Sequence, residues 1–205
     1  SLSYIKKPYF CLPGTIAKSA IAESCLACFD YTNGLADVVI GYMAAPLDSN
    51  NNVMDQSLQS ITVRNTRGMN MIHTAIDAGR LHIHGEATGN GSHEKISLAT
   101  VESDSIVMEM TQRGTIPEKG MPRLLGEIMA IGMGNLGPKG VNFARYSIDY
   151  HVLRNYLHVL DQWGEDRAAN CLPRYAEMIV EQYLRNEKFA VLKESILVKH
   201  KNMLK

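Results

Sequence analysis

Apolar positions along the chain change period several times, and each change predicts an element. Leu35 to Tyr42 is nearly all apolar and β-branched at its centre, the pattern of a buried strand. Gln59 to Asn65 alternates as a second strand, and Thr66-Arg67-Gly68 turns it into a helix carrying Met69, Ile72, Ala75 and Ile76. Pro122 opens a helix from Arg123 to Gly134, apolar at Leu124, Leu125, Ile128, Met129 and Ile131. Gly137-Pro138-Lys139-Gly140 breaks it. The strongest helical pattern follows, from Val141 to Leu160. Phe143, Tyr146, Tyr150, Leu153 and Leu157 share one side with Val141, while Arg145, Asp149 and Arg154 fall elsewhere, so an aromatic core face and a charged outer face are expected. Trp163-Gly164 ends this helix. Pro173 starts the last one, through Tyr175, Met178, Ile179 and Leu184, and the Lys-rich tail after Lys193 is expected to fray.

Other stretches are less regular. Residues 1–14 read as a strand and a turn closed by Pro13-Gly14, and Thr15 or Ser19 then opens a short helix through Ala17, Ala20, Ile21 and Ala22. Asp48 to Val53 is a polar loop. Gly79 to Ser92 is rich in Gly, His and Thr, with His82, His84 and His93 close in sequence. Two imidazoles spaced H-x-H can face one metal from a strand. No nearby cysteine or carboxylate pair completes such a site, and a polar hairpin with surface histidines is the simpler reading. Ile96 to Met110 mixes strand and helix signals, and Gly114 with Pro117 to Gly120 forms a linker. The methionines at 69–71, 108–110 and 129–133 read as flexible core filler. The whole is an α/β pattern: a mixed sheet with flanking helices and a C-terminal helical segment. Its domains are expected at residues 1–120 and, as a helical extension packed on them, 121–205.

Composition narrows the function. The 205 residues suffice for one moderate core, and a hydrophobic content of 45% with 20% charged residues is ordinary for a globular chain. The formal net charge is zero, which disfavours nucleic acid as a partner. No apolar run reaches the ~20 residues of a membrane span; Leu124 to Met133 is interrupted by Glu127 and two glycines. Ser1 to Lys7 holds no signal-peptide apolar segment. Four cysteines, at 11, 25, 28 and 171, are too sparse for a disulfide framework and fit a reducing compartment.

Chemistry concentrates in Cys25-Leu26-Ala27-Cys28-Phe29-Asp30-Tyr31-Thr32-Asn33-Gly34, which runs on through Ala36-Asp37 to Gly41. The C-x-x-C spacing turns two thiolates toward one centre, which suits an iron–sulfur cluster, a zinc ion or a redox dithiol. A second C-x-x-C for zinc is absent, and the residues after Cys28 read as turn and strand where a thioredoxin-type dithiol opens a helix. Cys11 is a third thiolate within reach of a curled chain, or a buried strand cysteine. Cys171 reads as structural. Asp30 either adds an oxygen ligand or caps the Thr32 and Asn33 amides. No G-x-G-x-x-G lies between a strand and a helix, so a Rossmann site is not supported.

CLACFDYTNGLADVVIGYM resembles the signature C-x-x-C-x-D-[FY]-[TS]-x-x-x-A-D-[IV]-x-x-G of the FrhB/FdhB family, the flavin- and iron–sulfur-containing beta subunits of deazaflavin-dependent hydrogenases and formate dehydrogenases. KPYFCLP from Lys7, ITVRN from Ile61 with Gly68, and GPKGVNFARYSIDYHVLRNYLHV from Gly137 extend the likeness. The nearest branch is the ferredoxin-dependent chlorophyll reductases. The resemblance implies a 4Fe-4S cluster held by Cys25 and Cys28, with Cys11 as a third ligand. It implies an FAD contacted by Thr32, Asn33, Gly34, Asp37 and Gly41, with Arg64 neutralising its phosphate or its reduced ring. Reduced ferredoxin is then the electron donor and a chlorophyll-type tetrapyrrole the substrate, in a plastid or a cyanobacterial cytoplasm. A homo-oligomer is possible. The favoured reaction is reduction of a 7-hydroxymethyl chlorophyll, ahead of an 8-vinyl group or a deazaflavin-linked reaction. Family members are longer, with further cysteines upstream. The chain is therefore expected to be the C-terminal part of a larger enzyme, because two four-iron clusters need ~8 thiolates. A zinc- or cluster-stabilised interaction domain is the reading from a different class.

Overall fold

Helices dominate, and one two-stranded ladder is the only sheet among the described residues. The computed structural model describes residues 5, 7–41, 58–85, 93–114, 116, 118–134 and 140–204. The polar loop expected at 48–53 and the break at 137–139 lie outside them, as does the second half of the Gly- and His-rich stretch, residues 86–92. The chain forms two units, one of Ser1–Phe29, Glu94–Gly132 and Tyr146–Lys205, the other of Asp30–His93 and Met133–Arg145. Strands, flanking helices and a helical C-terminal segment are the α/β architecture expected.

In the first unit the chain opens with a 3-10 turn, Tyr9–Cys11, where a strand was expected. Pro8 fixes its own φ at −55° and its carbonyl accepts from Cys11 N at 3.0 Å, so the backbone curls. Two short helices follow, α1 (Gly14–Ser19) and α2 (Glu23–Leu26). The stretch with mixed signals is entirely helical, as α4 (His93–Ser103) and α5 (Ser105–Thr111). Asp104 divides them, its side chain accepting from Ile106 N at 2.9 Å as an N-cap. In α6 (Arg123–Gly134), Gly126 is buried beneath Cys11, while Leu124, Ile128 and Ile131 are exposed.

The core is built round α7 (Gly140–Trp163). Val152, Leu153, Tyr156, Leu157, Val159 and Leu160 are all buried, so this stretch of the helix is covered nearly all round. The charged outer face expected for it does not exist at Asp149 or Arg154, which are buried too and are paired instead. Gly164, at φ 80°, turns the chain into an unexpected helix, α8 (Glu165–Cys171). Then come α9 (Arg174–Leu184) and α10 (Glu187–Met203). The Lys-rich tail is therefore ordered, not frayed. Asn186 caps it, and Phe189, Leu192 and Ile196 recur at helical spacing as fully buried core. Of the methionines read as core filler, Met110 is buried, but Met69, Met71 and Met129 are exposed.

The second unit holds β1 (Val38–Gly41) and β2 (Ser60–Val63), antiparallel, with Val38 opposite Val63 and Gly41 opposite Ser60. Both strands and the helix after them, α3 (Thr66–Asp77), were expected. β1 is less buried than expected: Leu35 precedes it in an exposed turn and Ile40 is exposed, because a two-stranded ladder offers little apolar surface to bury against. Asn65 caps α3, accepting from Gly68 N at 2.9 Å. Gly68 lies so close to the start of β1 that a Cβ there would stand 2.4 Å from the Asp37 carbonyl oxygen. Only glycine allows that approach.

Candidate functional site

Cys25 lies in the last turn of α2 and Cys28 just past its end. Each is followed by an apolar anchor, Leu26 and Phe29, buried in the helical core, whereas both cysteines are exposed. The alternation nails the loop down by its hydrophobic residues and leaves the thiol-bearing positions at the surface. Its backbone is held from below. Asn155 of α7, only 4% exposed, donates through Nδ2 to the carbonyl oxygens of Cys25 at 3.1 Å and Cys28 at 2.7 Å. Tyr175 of α9 donates its hydroxyl to the Phe29 carbonyl.

Asn155 is itself held. Its Oδ1 accepts from Nε and Nη2 of the buried Arg154, both at 3.2 Å. The Arg154 guanidinium lies 5.5 Å from the centre of the Tyr150 ring, and Tyr150 donates to Asp104. Burial pushes the Tyr150 hydroxyl above its ordinary range, with Asp104 adding to the effect. The neighbouring His151 is pushed down to about 4, by burial first and the Arg154 charge second. Among the residues of the Arg145 to His151 run, Tyr146 bridges to Thr100 at 3.2 Å and Tyr150 to Asp104, so these hydroxyls tie α7 to its neighbours. Leu26 and Ala27 also line an open cleft of about 950 Å³, faced by Ile106, Met110, His158 and Trp163. Burial lowers the His158 pKa, which favours a neutral ring there.

The second unit gathers the other expected site residues. Asp30 accepts from Gly34 N at 2.7 Å, and Asn33 takes a left-handed φ of 50° in the turn between them. Arg64 donates its side chain to the Thr32 carbonyl, and its N–H to the Asp37 carbonyl at 2.9 Å. The Asp37 carboxylate binds Asn65 Nδ2 at 2.5 Å and Arg67 Nε at 2.6 Å. These bonds, Asn65 first, hold it below the usual carboxylate range. Thr32, Asp37 and Arg64 therefore form one bonded corner, with Asn33 in the turn beside it bonded to Asp30 and Ala36. Gly41 ends β1, and no described atom lies within 4 Å of where a Cβ would stand.

Cys11 is half-buried in the first unit, and a Cβ on Gly126 of α6 would stand 2.3 Å from its Sγ. Cys171 is exposed at the end of α8. His82 and His84 are exposed, and His93 opens α4. Among the described residues no three His, Cys, Asp or Glu side chains converge as a metal centre. Sequence reasoning missed Asn155, Arg154 and Tyr175. The signal for the first two was available: a polar pair between Leu153 and Tyr156, inside an apolar run, has to find partners if the run is buried.

Residues 5–88 match the family described as the C-terminal part of the coenzyme F420 hydrogenase/dehydrogenase beta subunit. This stretch is similar to that family. It is 43% identical over 176 residues to the chloroplastic 7-hydroxymethyl chlorophyll a reductase of Oryza sativa subsp. japonica, an alignment covering 86% of this chain and 36% of that protein. It is 35% identical over 181 residues to the uncharacterised protein all1601 of Nostoc sp., covering 87% of this chain and 39% of the relative. The chain thus spans well under half the length of the curated relatives it matches. The family match takes in both cysteines and the bonded corner. An iron–sulfur cluster needs thiolates that are not tied up in disulfides, and Cys25 and Cys28 are both free, on a loop whose backbone is hydrogen-bonded by Asn155. A flat flavin ring needs one close approach to backbone, and a glycine at the end of a strand, as Gly41 is, has no side chain to prevent it.

Proposed function

We propose that the chain is part of an iron–sulfur flavoprotein that reduces a chlorophyll, with 7-hydroxymethyl chlorophyll a as substrate and reduced ferredoxin as donor. The 43% identity to the rice reductase across most of this chain carries the reading. The exposed cysteines on a loop clamped by one buried amide support it. Conversion of the hydroxymethyl group to methyl takes two electrons and two protons and releases one water. Cys25 and Cys28 supply two thiolates to a 4Fe-4S cluster, and the remaining ligands come from outside this pair, Cys11 being one candidate. Thr32, Asn33, Asp37, Gly41 and Arg64 serve an FAD. When bound, the two cofactors take up single electrons and deliver them in pairs.

In this reading the chain's own residues position and tune. Arg64 and Arg67 bring positive charge to the corner where a reduced flavin is negative. The bonds of Asp37 to Asn65 and Arg67 keep that corner rigid. The chloroplastic location of the rice relative supports a plastid location. The family description favours a second reading, as part of a deazaflavin-linked hydrogenase or dehydrogenase.

The test is the complete polypeptide, purified without oxygen and assayed with reduced ferredoxin. A flavin band near ~450 nm with a broad iron–sulfur shoulder, and turnover of 7-hydroxymethyl chlorophyll a, support the proposal. Turnover only of a divinyl chlorophyllide, or only with a reduced deazaflavin, moves the substrate or donor. A colourless zinc protein ends the reductase reading in favour of an interaction domain.

A further inference from the structure

We propose that Asn155 is a positioning residue for the cysteine pair: its side-chain amide sets the backbone that presents Cys25 and Cys28 to their cluster. The inference rests on the reading that these two cysteines ligate iron. Nothing in their sequence neighbourhood points to it, because Asn155 lies 127 residues beyond Cys28.

Nδ2 has two hydrogens, and both are used on carbonyls three residues apart, those of the two cysteines themselves. The loop is therefore curled about a single nitrogen, and the curl fixes how far apart the two cysteine backbones lie. The amide has one workable orientation. Turned over, it would set Oδ1 against two carbonyl oxygens and its NH2 against the Arg154 guanidinium, which now donates twice to Oδ1. At 4% exposure, water is not at hand to replace lost bonds. Tyr175 adds a separate anchor at the next carbonyl, that of Phe29. A metal site whose ligands are held by a second layer of hydrogen bonds binds more tightly, and loss of such a bond typically weakens metal binding by about 10–100-fold.

The experiment uses the complete polypeptide, reconstituted anaerobically, and follows iron release to a chelator by absorbance. The EPR signal of the reduced protein and the far-UV circular dichroism are recorded alongside. Asn155→Asp keeps the size and the Arg154 contact but replaces the donor with an oxygen that repels both carbonyls. It is expected to release iron about 10-fold faster or more, with altered EPR g-values and wild-type helicity. Asn155→Ser, which is smaller and donates only once, is expected to fall between it and wild type. It also stands in if the aspartate variant does not fold. A folded Asn155 variant that releases iron at the wild-type rate with an unchanged EPR spectrum overturns the proposal. Wild-type protein without iron, or Cys25→Ser and Cys28→Ser variants with full iron, instead overturns the cluster reading beneath it.

Discussion

Tyr183 of α9 donates its hydroxyl to the Asp149 carboxylate of α7 at 2.7 Å, and both residues are buried. A carboxylate inside the helical core is tolerated only while donors surround it. Tyr183→Phe removes one donor and leaves the rest of the ring in place. The expected loss is about 1.5–3 kcal/mol, the range for a hydrogen bond to a charged group. It is read as a lower urea midpoint with an unchanged slope.

Gly68 and Asp37 make the equivalent point in the second unit. Gly68→Ala drives a Cβ to 2.4 Å from the Asp37 carbonyl oxygen, a backbone atom that cannot rotate away. The substitution is expected to cost about 1–3 kcal/mol. Faster hydrogen exchange of the β1 amides measures it, while amides of α7 stay protected.

The acid side of the stability curve follows from His151. Unfolded, its imidazole takes a proton near 6.5; folded, it stays neutral down to about 4. Between those values the unfolded state binds more protons, so stability falls as pH drops from 6.5 toward 4 and is fully present above 6.5. His158, shifted in the same direction, adds to the slope. Urea midpoints measured across this window are expected to fall less steeply in His151→Gln than in wild type.

Helix α10 supplies a third measure of the core. Ile196 is fully buried in what reads as a charged tail. Ile196→Ala is expected to cost about 2–5 kcal/mol. A change within about 0.5 kcal/mol, the range of surface substitutions, would contradict the packing described.

What could be read from the chain alone follows from the range of the interactions involved. The strands at Val38 and Ser60, the helix begun at Thr66 and the helices opened by Pro122 and Pro173 depend on neighbours in sequence, and they stand where local pattern puts them. The loop cysteines were legible for the same reason. Asp149 and the Lys-rich α10 were misread because what covers them lies on other helices, Tyr183 of α9 in the case of Asp149, and Arg154 because it is buried and turned back onto Asn155 and Tyr150 of its own helix: a charged residue in a helical period looks like surface until something covers it. Asn155 is the extreme case. Its meaning is a bond across 127 residues to a loop whose own sequence needs no help to be noticed. The opening turn was misread differently, since Tyr9, Phe10 and Leu12 look like a strand and the curl comes from Pro8.

The most direct measure of the account is iron and acid-labile sulfide per polypeptide in the complete protein, wild type against Cys25→Ser and Cys28→Ser, all purified without oxygen. A substantial loss of both is expected in each variant, with flavin retained, since the residues assigned to the flavin are untouched. Full iron and sulfide in either serine variant would contradict it.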